Sequence, residues 1–235
     1  MKKQKIVILT GAGMSAESGI KTFRDSDGLW ENYPVQQVAS IEGYEADPGL
    51  VLDFYNARRR ELLRTEPNHG HLKVAELERY FDVTVVTQNV DNLHERAGSS
   101  HVIHLHGELM KATSSRDPYD PACIRELTPG QPEIRLGDRA ADGSQLRPYI
   151  VWFGEAVPKF EEAAIEAQTA DAFLIIGTSM QVYPAAGLIR YIRPGTPVYV
   201  IDPKAVPVHC ASPVHTIARG ASEGMDELFK ILLKE

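Results

Sequence analysis

Cysteine is scarce in this 235-residue chain, which has two, Cys123 and Cys210. Two thiols cannot make a disulfide framework, and such a chain fits a reducing cytoplasm. Long apolar runs are missing as well. No stretch approaches the ~20 apolar residues that a membrane-crossing helix needs, and Met1-Lys-Lys-Gln-Lys5 is followed by four apolar residues, too few for a signal peptide. Positive charge is also in short supply. With 25 Lys and Arg against 32 Asp and Glu, the net charge is −7, which argues against a general nucleic-acid binder, for which a basic surface is expected. The expectation is a soluble cytoplasmic protein that uses neither a membrane nor nucleic acid as a direct partner; its oligomeric state is not readable.

With 43% hydrophobic and 24% charged residues, the chain has ordinary globular proportions. Strand-like runs fall at Lys5–Leu9, Val83–Thr87, Val102–Leu105, Tyr149–Phe153, Ala172–Ile176 and Val198–Ile201. Helical patterns cover Pro48–Arg64, His71–Tyr80, Lys159–Gln168, Pro184–Tyr191 and Ser222–Leu233. This α/β alternation predicts a doubly wound parallel sheet, with ligands at the carboxyl ends of its strands. One domain over residues 1–235 is expected, with 110–147 as a small inserted lobe. Met110–Arg147 holds four prolines, three glycines and few large apolar residues, so little core of its own is expected, and it reads as either a small lobe or a mobile insertion.

The first strand runs into Gly11-Ala-Gly-Met-Ser-Ala16, a Gly-x-Gly-x-x-Ala turn of the kind that holds a pyrophosphate. A dehydrogenase would continue with a second strand and an acidic ribose-binding residue; here Lys21–Pro34 is instead polar, aromatic and rich in turn formers. Such a loop can cover a cofactor through Phe23, Arg24 and Trp30. Gln88-Asn-Val-Asp-Asn-Leu-His94 gathers amides and a carboxylate at a strand end, suited to a carboxamide or to ribose hydroxyls; helix capping by Asn89 or Asp91 accounts for one residue of that cluster.

In His104-Leu-His-Gly-Glu108, His104 and His106 share a face if the strand persists. The pair reads as a general base at the strand end, as structural histidine, or as metal ligands, the last without a carboxylate or cysteine at ligand spacing to complete it. Gly177-Thr-Ser179 is a second glycine turn after a strand, and Asp202 is an acidic group at another strand end.

Taken together, Gly11–Arg24, Thr87-Gln-Asn-Val-Asp-Asn-Leu-His94, His104-Leu-His-Gly-Glu108, Val151-Trp-Phe-Gly-Glu155 and Gly177-Thr-Ser179 resemble the sirtuin family, in its order and over nearly the whole chain. The resemblance implies a Rossmann-like domain with an inserted lobe, NAD as co-substrate, and removal of acyl groups from lysine in acylated proteins or peptides. It implies His106 as catalytic base, with Asn89 also catalytic, and Gln88, Asn89, Val90 and Asp91 around ribose and nicotinamide. It also implies that Gly11, Ala12, Gly13, Ser15, Phe23, Arg24, Trp30, Gly177, Thr178, Ser179 and Asp202 hold NAD. A general deacetylase and a protein ADP-ribosyltransferase are alternatives on the same site; a module that senses NAD or ADP-ribose without chemistry belongs to another class.

Asp53-Phe-Tyr-Asn-Ala-Arg-Arg-Arg60 resembles the Tyr-x-x-Arg signature of sirtuins that prefer acidic acyl groups. This implies Tyr55 and Arg58, with Val151 and Phe153, around a succinyl, malonyl or glutaryl group. On a helix Tyr55 and Arg58 share one face, although an exposed basic turn is the plainer reading since Arg59 and Arg60 adjoin. Where many sirtuins carry four zinc cysteines, the lobe has Cys123 and no histidine, so no structural zinc is expected.

Overall fold

In chain order the strands are β1 (Lys5–Thr10), β2 (Asp82–Thr87), β3 (Val102–His104), β4 (Gly107–Ser114), β5 (Arg125–Glu126), β6 (Leu146–Ile150), β7 (Ala172–Ile176), β8 (Val198–Ile201) and β9 (Val214–Ile217). The structure, a computed structural model, describes residues 3–21 and 34–233. Six strands form one all-parallel sheet in the order β3-β2-β1-β7-β8-β9. The alternation of apolar side chains is buried on both faces. Val7 and Leu9 pack with Phe173, Ile175 and Val200 on one side, while Ile6 and Ile8 pack with Leu174, Ile176, Met225 and Leu228 on the other, as a parallel sheet requires.

The helices are α1 (Ala12–Ala16), α2 (Val35–Val38), α3 (Ile41–Ala46), α4 (Pro48–Leu62), α5 (His69–Leu77), α6 (Leu93–Ala97), α7 (Phe160–Gln168) and α8 (Ala221–Leu233). Helix α4 starts where Asp47 accepts a hydrogen bond from the Leu50 N–H at 2.9 Å, with Pro48 in its first turn; such a cap contributes about 1 kcal/mol. Its buried face sets Val51, Phe54, Tyr55 and Leu62 against Leu93, Leu109, Ile150 and Trp152. No helix among the described residues is long and apolar enough to cross a membrane.

Three expectations need correction. Tyr149–Phe153 is not a strand of the main sheet: β6 ends at Ile150 and pairs antiparallel with β4 in a second sheet, ordered β5-β4-β6. Pro184–Tyr191 is a 3-10 helix over Ala185–Arg190. The lobe does build a core, in which Ala112, Cys123, Leu127, Ile134, Ala140 and Leu146 close over Leu52 of α4. Composition concealed this because part of the core, Leu52, comes from α4 rather than from residues 110–147.

The lobe is also tied to α4 by polar groups. Asn56 donates to the Ile134 carbonyl at 2.9 Å and accepts from the Ile134 N–H at 3.0 Å. Arg59, wholly buried, donates to Asn56 Oδ1 at 2.6 Å and to the Leu109 carbonyl at 3.3 Å. Arg59 is thus no exposed basic residue. Burial pulls its pKa down to about 10, against the opposing influence of Tyr55 and Glu133.

Candidate functional site

The chain moves outward from β1 through β2 and β3, then returns to the other side of β1 with β7 and moves outward again. Such a reversal opens a crevice at the carboxyl ends of the two central strands. There the Gly11 N–H donates to the Ile176 carbonyl at 3.0 Å and the Gly13 N–H to the Gly177 carbonyl at 2.8 Å. A Cβ on Gly13 would stand 2.7 Å from Gly177 Cα, and one on Gly11 2.7 Å from Thr178 Cβ. The two glycine turns therefore need their bare backbones to pack on one another.

A cavity of about 670 Å³ opens above them. Its wall brings together Gly11, Ala12, Gly13, Gln88, Asn89, Val90, His106, Gly177, Thr178, Ser179 and Asp202, and also Tyr55, Arg58, Val151 and Phe153. Ser15 and Asp91 lie behind this wall. Asn89 Nδ2 donates to the Gly11 carbonyl and to Ser15 Oγ, both at 3.0 Å. Ser15 Oγ in turn donates to Asp91 Oδ2 at 3.0 Å, and Asp91 Oδ1 accepts from the Leu93 N–H at 3.2 Å. Burial pushes the Asp91 carboxyl up, against the pull of these hydrogen bonds. Phe23, Arg24 and Trp30 lie outside the described residues.

The two histidines part ways because β3 stops at His104. His106 reaches the cavity, with Nδ1 3.0 Å from the Gln88 carbonyl; burial lowers its pKa, partly offset by that hydrogen bond. His104 is buried, with Nδ1 3.1 Å from the Asn89 carbonyl and Nε2 2.6 Å from Glu95 Oε1. Burial alone would lower its pKa, but Glu95, with Glu108 and the Asn89 carbonyl, outweighs burial and raises it. Of the competing readings, His104 takes the structural one. No group of three or more potential metal ligands is found among the described residues.

On the same wall, Tyr55 is buried and its pKa is pushed up to about 12, by burial above all. Arg58 is half-buried, its guanidinium carbon 5.8 Å from the Phe54 ring centre, and burial lowers its pKa. Sequence reasoning missed several wall residues, namely Phe54, Trp152, Glu155, Tyr183 and the segment 203–207. The last follows the carboxyl end of β8, where the sheet rule alone pointed.

A family model described as the Sir2 family matches residues 11–184. The chain belongs to the Sir2 family. Sir2 relatives named NAD-dependent protein deacylase include one from Bacteroides thetaiotaomicron, 61% identical over 230 residues and covering 98% of each chain. Another, from Helicobacter pylori strain 26695, is 49% identical over 231 residues, again with 98% of each chain covered. Among solved structures, a Sir2 homologue mutant in complex with ADP-ribose superposes with a TM-score of 0.88 at 38% identity, over 99% of this chain and 93% of the other. A Sir2 homologue–NAD complex gives 0.84 at 37% identity, over 99% and 90%.

Proposed function

We propose that this Sir2-family chain is an NAD-dependent protein-lysine deacylase that prefers acyl groups ending in a carboxylate: succinyl, malonyl and glutaryl. The observation that carries the preference is that Tyr55 and Arg58, three residues apart on α4, both line the cavity, together with the apolar Phe54, Val90, Ile150, Val151 and Phe153. A guanidinium holds a carboxylate through charge-assisted hydrogen bonds, and a phenol adds one more. An acetyl group has no carboxylate at that distance along the acyl chain, so it forgoes the charge-assisted bond that a succinyl group makes to Arg58.

The donor set suits NAD. The packed glycine turns, Thr178, Ser179, Asp202, Gln88, Asn89 and His106 share one cavity wall, with Gln88 Nε2 donating to Thr178 Oγ1 at 3.0 Å and Asn89 to the Gly11 carbonyl. When bound, NAD supplies a ribose carbon that becomes electrophilic as nicotinamide departs. Asn89 has both amide hydrogens engaged by Gly11 and Ser15, so its Oδ1 is the atom left to accept from a hydroxyl. His106, with its Nδ1 proton held by the Gln88 carbonyl, presents Nε2 as the base that takes a hydroxyl proton. Acylated lysine in proteins or peptides is the second substrate.

The lobe is proposed to hold together without zinc. Ser114 Oγ donates to Asp142 Oδ2 at 2.7 Å, and Ser144 donates to Asp142 Oδ1 through N–H and hydroxyl at 2.9 and 2.7 Å, so hydrogen bonds tie the end of β4 to the turn before β6. The preference is tested with Arg58→Met, which should lose desuccinylation about 10- to 100-fold more than deacetylation, the size of a lost charged hydrogen bond. Equal losses of both activities would return Arg58 to a structural role.

A further inference from the structure

Trp152 sits in the segment Val151-Trp-Phe-Gly-Glu155, which reads in the sequence as core, and it is indeed almost wholly buried. Its indole nitrogen, however, lies 3.1 Å from the Tyr55 hydroxyl oxygen. An indole N–H donates and cannot accept, so the direction of this bond is fixed and the Tyr55 oxygen is the acceptor. A phenolic oxygen has two favoured in-plane directions, one on each side of its C–O axis. With one filled by Trp152, the hydroxyl proton is left to the other.

The donor is itself held in place. The Arg147 guanidinium carbon stands 3.4 Å from the Trp152 ring centre, and Tyr44 packs against the same indole at 5.0 Å. Arg147 is forked onto Glu155 at 2.7 and 3.0 Å and donates to the Ile150 carbonyl at 2.7 Å. The other end of that ion pair returns to Trp152, whose backbone N–H donates to Glu155 Oε2 at 2.7 Å. Turning the indole would give up its stacking on the Arg147 guanidinium, which the Glu155 ion pair holds still, and its contact with Tyr44. The strand end thus fixes a donor, and the donor fixes the rotor of Tyr55.

We infer that Trp152 is a positioning residue for acyl specificity: by donating its indole N–H to the Tyr55 oxygen, it presents the Tyr55 hydroxyl proton to a carboxylate seated between Tyr55 and Arg58. The inference rests on the acidic-acyl reading of those two residues. Burial supports it from a second side, because a phenol whose pKa is raised to about 12 keeps its proton and remains a donor. A ligand carboxylate then meets a hydrogen bond whose geometry is set beforehand, so less freedom is lost on binding.

The test removes the donor and keeps the ring. Trp152→Phe retains an aromatic face for Arg147, and benzothienylalanine placed at position 152 retains the bicyclic shape with sulfur in place of N–H. Each is assayed with NAD and matched succinyl-lysine and acetyl-lysine peptides, alone and combined with Tyr55→Phe, beside Arg58→Met. The expected result is a fall of about five- to tenfold in the succinyl-over-acetyl ratio of kcat/KM, the size of one lost hydrogen bond. That fall is carried by KM, and it vanishes when Tyr55 is already Phe. A ratio that stays put in both position-152 variants while Arg58→Met collapses it would overturn the role of Trp152 and leave the acidic-acyl reading standing. An equal fall with and without the Tyr55 hydroxyl would mark a packing effect and also overturn it. If Arg58→Met and Tyr55→Phe do not move the ratio either, the reading and the inference fall together.

Discussion

His106 Nδ1 lies 3.0 Å from the Gln88 carbonyl oxygen, and because a carbonyl only accepts, the Nδ1 position carries the proton. The neutral ring therefore has an unprotonated Nε2, the tautomer a general base needs. Replacing His106 with Ala should cut kcat by about 10²- to 10⁴-fold, with nucleotide binding, measured by calorimetry, retained. Loss of binding in step with turnover would make His106 a structural residue.

The same histidine sets a pH limb. Burial holds its pKa below the ordinary value of 6.5 despite the bond to Gln88, and a base with a depressed pKa stays unprotonated as pH falls past that ordinary value. The acidic limb of kcat/KM is expected below pH 6.5. A rate profile with its acidic half-point above 6.5 would contradict this assignment.

His104 and Glu95 make a pH-dependent contribution to stability from opposite directions. The His104 pKa is raised in the fold, so its contribution is complete below the ordinary 6.5 and is lost as pH rises through the raised value. The Glu95 pKa is lowered, burial being outweighed by the bond to and charge of His104; its contribution is present above the ordinary 4.5 and lost as pH falls through the lowered value. Melting temperatures of wild type and His104→Gln should therefore differ most between about pH 5 and 6 and converge on the alkaline side. A constant gap would mean that packing alone separates them.

Gly13→Ala tests the contact between the two turns. A Cβ there would stand 2.7 Å from Gly177 Cα, and backbone cannot rotate away as a side chain can. The expected cost is about 1–3 kcal/mol, as for overpacking elsewhere, read from the denaturant midpoint, together with weakened nucleotide binding. An unchanged midpoint would mean that the turns separate freely.

Arg147 and Glu155 are both nearly buried, at 4% and 7% side-chain exposure, so removing one leaves the other without its countercharge. Arg147→Met should destabilise the protein by about 3–5 kcal/mol, measured by chemical denaturation. The wild-type melting temperature should in turn be indifferent to dialysis against a zinc chelator; a large drop on chelation, or one zinc per chain by metal analysis, would contradict the metal-free lobe.

What the sequence reveals of this protein is local, and what it conceals is long-range. Gly11 to Ala16 and Gln88 to His94 announce a site because each is a short polar or glycine-rich run at the end of an apolar one. The parallel sheet follows from the alternation of strands and helices. Trp152 announces nothing, since its partner Tyr55 is 97 residues away. Arg59 reads as exposed beside Arg58 and Arg60 until the Leu109 carbonyl, 50 residues on, gives it a buried partner. His104 and His106 look equivalent by period two and separate only because the strand ends between them. The β6 segment misleads for a related reason: its apolar content suits either sheet, and only pairing with β4 decides which.

The acidic-acyl preference is decided by incubating the protein with NAD and paired succinyl-lysine and acetyl-lysine peptides of one sequence, following deacylated peptide, nicotinamide and O-acyl-ADP-ribose by mass spectrometry. NAD-dependent turnover of both is expected, with kcat/KM for the succinyl peptide higher by about tenfold or more, the worth of a charge-assisted hydrogen bond. Equal turnover or an acetyl preference would contradict the role given to Tyr55 and Arg58.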